Sequence, residues 1–140
     1  DFAKNINFIS SIDQVSNNDI DIFFTSGTIH CFEKPLDIIE KAAVLEIPII
    51  ALTRNFFSLK KITFANSTTL SGNALGTKPL KGYGNPTIYY PFQTIDKKEL
   101  ISLLKKYGYD LKFETFIPRG SPNPVGETNL YGGELLFVKS

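Results

Sequence analysis

The apolar positions of the chain form short runs and helical stripes that predict a mixed α/β order of elements. Ile20–Phe24 is a short run rich in β-branched and aromatic residues, which is typical of a strand buried on both faces. Apolar residues at helical spacing then follow from Pro35 to Leu45, and proline suits the first turn of a helix. Ile47–Leu52 predicts a second buried strand. Because parallel strands need a crossover connection, we predict a right-handed βαβ unit.

The last third of the chain predicts one more helix and two antiparallel strands. Asp96 is a capping residue before a helical apolar stripe, and Gly108 suits the position just after the helix. Leu111–Ile117 alternates as a strand, and Glu134–Val138 predicts a final strand after a loop without a helix. Neighbouring strands joined in this way must pair antiparallel. At the other end, Asn5–Val15 alternates in part and predicts a short first strand.

The middle of the chain, Thr53–Thr94, has little periodic signal and many small polar residues. So long a segment without periodicity predicts a functional loop or lid, with short edge strands at Phe56–Leu59 and Lys61–Phe64. We also predict that Thr53–Pro91 includes the most mobile part of the chain, because few apolar residues anchor it.

Composition and charge narrow the possible partners. A length of 140 residues predicts a single domain, 1–140, and the net charge of +1 is spread without a basic block, which argues against nucleic-acid binding. No apolar run approaches the roughly 20 residues of a membrane helix, so we expect no membrane partner. Cys31 is the only cysteine, which excludes an internal disulfide and predicts a cytoplasmic protein.

Ligands of open α/β sheets bind at the carboxyl ends of the strands. In this chain the turn after the first buried strand, Thr25–His30, is therefore the predicted rim of a small-molecule site. His30 is the only histidine and titrates near neutral pH, although a half-buried structural role is the more frequent one for such a residue. One histidine beside one cysteine does not make a zinc site, so no metal is predicted.

Four segments carry a resemblance to a known family. The segments FFTSGTIHCFEKPLDII, LTRNF, NPTIYYPF and YGGELLF resemble, in this order, parts of a bacterial family of class I S-adenosylmethionine-dependent methyltransferases. In the second segment Arg54 and Phe56 match the family pattern, whereas Thr53 and Asn55 depart from it. The resemblance covers most of Asp19–Ser140. It implies a partial Rossmann-like sheet, mostly parallel, with an antiparallel last strand and helices packed on it.

The resemblance also implies a division of the site. One wall of the S-adenosylmethionine pocket would be formed by Thr25, Ser26, Gly27 and His30. The substrate side would be formed by Arg54, Tyr89 and Tyr90, although anchoring the long loop on the core is the more frequent role for aromatic residues such as the two tyrosines. No catalytic residue is assigned, and the methyl acceptor would be a small molecule or a saccharide.

Two cofactor-binding features of that fold have no counterpart in the sequence: a glycine-rich turn after a first strand and an acidic residue that holds the ribose. The chain is therefore expected to be a C-terminal portion of the fold that does not bind S-adenosylmethionine usefully alone. The alternative functions are a non-catalytic Rossmann-like module and a component of nucleotide-sugar or polysaccharide chemistry. The apolar strand Ile20–Phe24 would lack one neighbour, and this predicts a homodimer through the open sheet edge or through Phe2–Ile9.

Overall fold

In the part of the chain that the structure describes, a five-stranded mixed sheet forms the centre of the fold, with two α-helices packed on one face. The computed structural model describes residues 6–16, 20–58, 63–69, 86–117 and 131–140. The strands and helices are β1 (Ile22–Ser26), α1 (Pro35–Val44), β2 (Ile49–Ser58), β3 (Thr63–Thr69), β4 (Thr87–Gln93), β5 (Ile95–Asp96), α2 (Lys97–Lys106), β6 (Tyr109–Ile117) and β7 (Tyr131–Lys139).

The strand order places the last strand inside the sheet. The order is β1-β2-β7-β6, and β5 pairs with the end of β2. β2 is parallel to β1 and to β5, whereas β7 is antiparallel to both β2 and β6. Four of the five strands therefore run in one direction, and β7 runs against them. The expectation of a mostly parallel sheet holds for strand direction but not for pairing, because β7 makes two of the strand pairs antiparallel.

The predicted βαβ unit is present as β1, α1 and β2. Helix α1 begins with Pro35 in its first turn and buries Ile39, Ala42 and Ala43 against the sheet. The two strands pair in parallel from Ile22 opposite Ile49 to the end of β1. Strand β2 is longer than predicted and continues to Ser58.

The burial predicted for the first strand is wrong. β1 lies at the edge of the sheet, and Ile22 and Phe24 on its outer face are 47% and 62% exposed. Only Phe23, which points to the helix side, packs against the core. The apolar run predicted a strand correctly, but its sequence does not reveal how many neighbours the strand has.

The strand predicted for Asn5–Val15 is also wrong. Residues 6–11 have no regular structure, and Ile12–Gln14 forms a 3₁₀ helix. The side chain of Ser11 accepts a hydrogen bond from the backbone of Asp13, while Gln14 reaches back to the backbone of Ser11. This reciprocal cap favours a helical turn over a strand.

The middle segment is more ordered than the predicted long loop. Its first part belongs to β2, and β3 and β4 form a separate antiparallel pair from Thr63 opposite Gln93 to Thr69 opposite Thr87. The edge strand predicted at Phe56–Leu59 is thus the end of β2, and the described part of the one predicted at Lys61–Phe64 is the start of β3. Residues 59–62 and 70–85 lie outside the described part of the chain.

Helix α2 and the two strands after it follow the prediction closely. Asp96 accepts hydrogen bonds from the backbone N–H groups of Lys98 and Glu99, and Gly108 has a φ of 80° after the helix. β6 and β7 pair antiparallel as predicted. The two helices and the sheet enclose one core: Ile29, Ile39, Ala42, Ala43, Ile47, Ile50, Leu52, Phe57, Ile95, Leu100, Leu104, Tyr109, Leu135 and Phe137.

Candidate functional site

The carboxyl end of β1 lies beside the middle of β2, and the turn after β1 forms the predicted rim. Thr25 and Ser26 end β1 opposite Leu52 and Thr53 of β2. Gly27 then turns the chain with a φ of 62°, and its N–H donates to the carbonyl oxygen of Thr53 at 2.9 Å. A side chain at this φ would be strained, so glycine is needed for the turn.

A β-bulge in β2 shapes the second side of the rim. The pairing with β7 shifts between Leu52 and Asn55, and Arg54 has a φ of 55°. The side-chain Nδ2 of Asn55 donates to the same Thr53 carbonyl oxygen at 2.9 Å. This oxygen therefore holds both the turn after β1 and the bulge, while the side chain of Arg54 is exposed next to Gly27. Bulges commonly re-aim side chains near functional sites.

Behind the rim, His30 is enclosed by aromatic rings. It lies in a 3₁₀ helix, Ile29–Cys31, and is only 6% exposed. Its ring centroid is 5.1 Å from that of Phe56 and 4.5 Å from that of Phe92, and the two phenyl rings contact each other. His30 thus joins the turn after β1 to β2 and β4.

The buried polar side chains among the described residues gather in the same region. Ser58 and Thr94 share a hydrogen bond of 2.7 Å, and Gln93 donates its Nε2 hydrogen to the carbonyl oxygen of Glu33. The amide oxygens of Asn55 and Gln93 are buried and accept no hydrogen bond within the described part of the protein. A buried acceptor without a donor lowers the free energy of unfolding by about 1–3 kcal/mol. The polar groups of this region therefore reduce the stability of the fold.

The structure brings together only part of the predicted site. Thr25, Ser26, Gly27 and Arg54 are neighbours at the rim, and His30 lies buried behind them. Tyr89 and Tyr90 belong instead to β4, in the β3–β4 pair, and Tyr89 is 75% exposed.

An exposed Tyr89 does not anchor its segment on the core; the buried aromatic of β4 is Phe92. The sequence interpretation did not single out Asn55, Gln93 or Thr94. For Asn55, the sequence did contain a signal: a polar residue two positions before Phe57 lies on the same face of the strand as that apolar residue.

Cys31 and the acidic residues offer no further chemistry at the rim. Burial raises the pKa of the Cys31 thiol, which therefore stays protonated near neutral pH. The described residues contain no group of three or more histidine, cysteine, aspartate or glutamate side chains that could hold a metal ion.

Comparison with known proteins finds similarity to solved structures but not to a family model or a curated protein. No family model and no curated protein matches the chain. Among solved structures, the chain is similar to the glycopeptide N-methyltransferase MtfA, whose crystal structure contains (S)-adenosyl-L-methionine. The identity is 8% and the TM-score is 0.44, over 86% of this chain and 56% of that chain. The chain thus spans little more than half the length of this neighbour, and a similarity of this strength carries no functional argument.

The rim offers polar groups to a ligand but no carboxylate. The hydroxyl groups of Thr25 and Ser26 and the open backbone at Gly27 are suited to border a polar ligand. Residues 25–30 include no carboxylate, which is the group that usually holds ribose hydroxyls.

No helix in the described part of the chain is long and apolar enough to cross a membrane.

Proposed function

We propose that the chain is the C-terminal part of a class I S-adenosylmethionine-dependent methyltransferase that acts on a small molecule or a saccharide. The direction of the strands is the observation that carries the proposal. β1, β2, β5 and β6 run one way, and the last strand, β7, runs against them. This is the arrangement that the sequence resemblance implies. The rim follows the carboxyl end of β1, and ligands of such sheets bind at the carboxyl ends of strands.

In this proposal the rim positions two reactants rather than supplying an acid or a base. The cofactor would contribute an activated methyl group, and the rate would depend on holding the acceptor in line with that group. Thr25, Ser26 and Gly27 would border the cofactor. Arg54 is exposed and its Cβ lies near Gly27, and its guanidinium would bind a carboxylate or phosphate of the substrate. His30 would support this wall from behind through its contacts with Phe56 and Phe92.

The experiment is a titration of the chain with S-adenosylhomocysteine, followed by the shifts of backbone amide resonances. With one wall present, we expect a millimolar dissociation constant and shifts confined to residues 25–30 and 53–56. Calorimetry with S-adenosylmethionine should detect no micromolar site. A micromolar affinity would contradict the proposed division of the pocket, and an absence of shifts at the rim would contradict the assignment of a methyltransferase.

Two glycines provide a matched pair of variants for this titration. Gly27 and Gly108 both have positive φ, at 62° and 80°, but only Gly27 lies at the rim. Gly27→Val should abolish the shifts because the turn must rearrange, whereas Gly108→Val should retain them at a similar cost in stability. Circular dichroism checks that both variants are folded. Equal loss of the shifts in both variants would place the binding elsewhere.

A non-catalytic binding module is the second candidate, and the exposed apolar residues of β1 favour it. Ile22 and Phe24 are exposed on an edge strand, which is a surface suited to protein association. A module that only binds a partner predicts no response of the rim to S-adenosylhomocysteine. The same titration therefore separates the two candidates.

A further inference from the structure

A large apolar groove runs along the free edge of β1. It has a volume of about 900 Å³ and lies between β1, the start of α1 and the N-terminal segment. Its apolar lining includes Ile9, Ile12, Phe23, Phe32 and Ile38. An exposed apolar groove next to an edge strand is a common feature of association surfaces.

Residues 6–16, the described part of the N-terminal segment, do not pair with this edge. Within the described residues, β1 pairs only with β2, and residues 6–11 form no strand. The segment is held instead on α1, where Lys41 forms an ion pair of 2.9 Å with Asp13. The backbone groups on the outer side of β1 therefore have no strand partner in the described part of the chain.

The same end of the molecule carries an apolar projection. Phe8 is 93% exposed, and Ile6 and Ile9 beside it are about half exposed, at 46% and 54%. Ile9 is also part of the lining of the groove. A molecule with a groove and an apolar projection at one edge is complementary to itself, because a twofold axis at this edge brings each projection to the other groove.

The charged residues that line the groove are also compatible with a second copy of the chain. The charged residues in the lining of the groove are Glu33, Lys34, Asp37 and Lys41, and Lys41 is paired with Asp13, so the net charge of this surface is small. A surface of this kind does not attract a nucleic acid or a strongly charged peptide, and it does not repel its own copy.

We infer that the 140-residue chain forms a twofold dimer through the edge of β1, with Phe8 of each copy packed in the groove of the other. The sheets of the two copies would join at β1, and Ile22 and Phe24 would be covered. This inference concerns the 140-residue chain and rests on the exposed edge, the groove and the apolar projection. In a longer protein of the proposed methyltransferase fold, a further strand would occupy this edge in place of the second copy.

Sedimentation velocity from low to high micromolar concentration tests the dimer. Four residues are paired in a row across the sheet: Phe24, Ala51, Leu136 and Phe113. Phe24 and Phe113 stand at the two ends of this row, so substitutions at these two positions form a matched pair. Phe24 and Phe113 are 62% and 51% exposed, but Phe113 lies on β6 at the far edge. Phe24→Lys should give a monomer, Phe113→Lys should remain a dimer, and Phe8→Ser should weaken association by about tenfold or more.

Hydrogen exchange provides a second measurement that does not depend on mass. The amides of β1 should become better protected as the concentration of the unaltered chain rises, and Phe24→Lys should remove this dependence. A monomer at high micromolar concentration would overturn the inference. Two further results would overturn it: equal dissociation of the dimer by Phe113→Lys and by Phe24→Lys, or a dimer of unchanged stability in Phe24→Lys. Circular dichroism checks that Phe24→Lys is folded.

Discussion

At the scale of single residues, Gly133 shows how closely β6 and β7 approach each other. A Cβ atom at this position would lie 2.6 Å from the carbonyl oxygen of Thr115 and 3.5 Å from the ring of Phe57. The first of these is a backbone atom, so the strand itself must move to admit a methyl group. Gly108, in contrast, has a φ of 80° and open space around it.

We therefore expect Gly133→Ala to destabilise the protein more than Gly108→Ala. Overpacking at Gly133 should cost about 1–3 kcal/mol. At Gly108 the left-handed backbone conformation alone should cost about 1 kcal/mol. Urea unfolding measures both free energies. Equal costs, or a neutral Gly133→Ala variant, would contradict the packing of β7 against β6.

Tyr109 links stability to high pH. It is buried, its hydroxyl donates to the carbonyl oxygen of Ile47 at 2.7 Å, and burial, with a smaller effect of Glu46, raises its pKa above the usual value of 10.0. The unfolded chain then loses this proton at a lower pH than the folded chain. The resulting stability is present below about pH 10 and is lost as pH rises through the folded pKa.

The Tyr109→Phe variant should reduce this loss of stability at alkaline pH. Part of the dependence of the free energy of unfolding on alkaline pH should remain, because a hydrogen bond to Glu40 raises the pKa of Tyr107 as well. At neutral pH the variant should be less stable by about 1–3 kcal/mol, since the Ile47 carbonyl loses its donor. Urea unfolding at neutral pH and above pH 10 tests both effects, and an unchanged alkaline slope would refute the link.

The sequence predicted the position of the turn after β1 better than the burial of the residues in it. The rim residues Thr25–Gly27 follow from the end of an apolar run, which is local information. The burial of His30 depends on rings contributed by Phe56 and Phe92, which lie 26 and 62 positions further along the chain. No local pattern contains such contacts.

At the scale of elements, an ion pair connects α2 to the sheet. Lys97, in the first turn of α2, pairs with Glu114 of β6, and both side chains are largely buried at 18% and 22% exposure. The pair Lys112–Asp110 on the same strand is 3.0 Å long but more than half exposed. The two pairs differ mainly in the amount of water around them.

We expect Glu114→Gln to cost about 1 kcal/mol or more, because Lys97 would lose a shielded partner. Asp110→Asn should change stability by less than about 0.5 kcal/mol, as is usual for exposed pairs. Thermal and urea unfolding of both variants give the comparison. Equal effects would show that α2 does not dock on β6 through this pair.

The two helices were predictable because their signals are local. Pro35 at the start of α1, and Asp96 and Gly108 around α2, fix the helix ends from the sequence alone. Strand β2 was predicted to end at Leu52 because Thr53, Arg54 and Asn55 are polar. The bulge at Arg54 lets the strand continue to Ser58, and a bulge depends on the opposite strand as well as on its own sequence.

At the scale of the whole molecule, the position of β7 between β2 and β6 sets the strand directions on which the proposed function rests. The sequence predicted that β6 and β7 would be antiparallel neighbours, but not that β7 would also pair with β2. That pairing joins residues 74 to 89 positions apart, from Ile49 opposite Val138 to Phe57 opposite Tyr131. It makes β6 run in the same direction as β2, and the proposed relation to methyltransferases depends on this direction.

Cross-strand nuclear Overhauser effects between backbone protons test this claim most directly. The account predicts contacts from β7 to both β2 and β6, including Ala51 to Leu136 and Leu136 to Phe113, and no backbone contacts between β2 and β6. Direct contacts between β2 and β6, with β7 at an edge, would contradict the strand order and remove the basis of the proposed function.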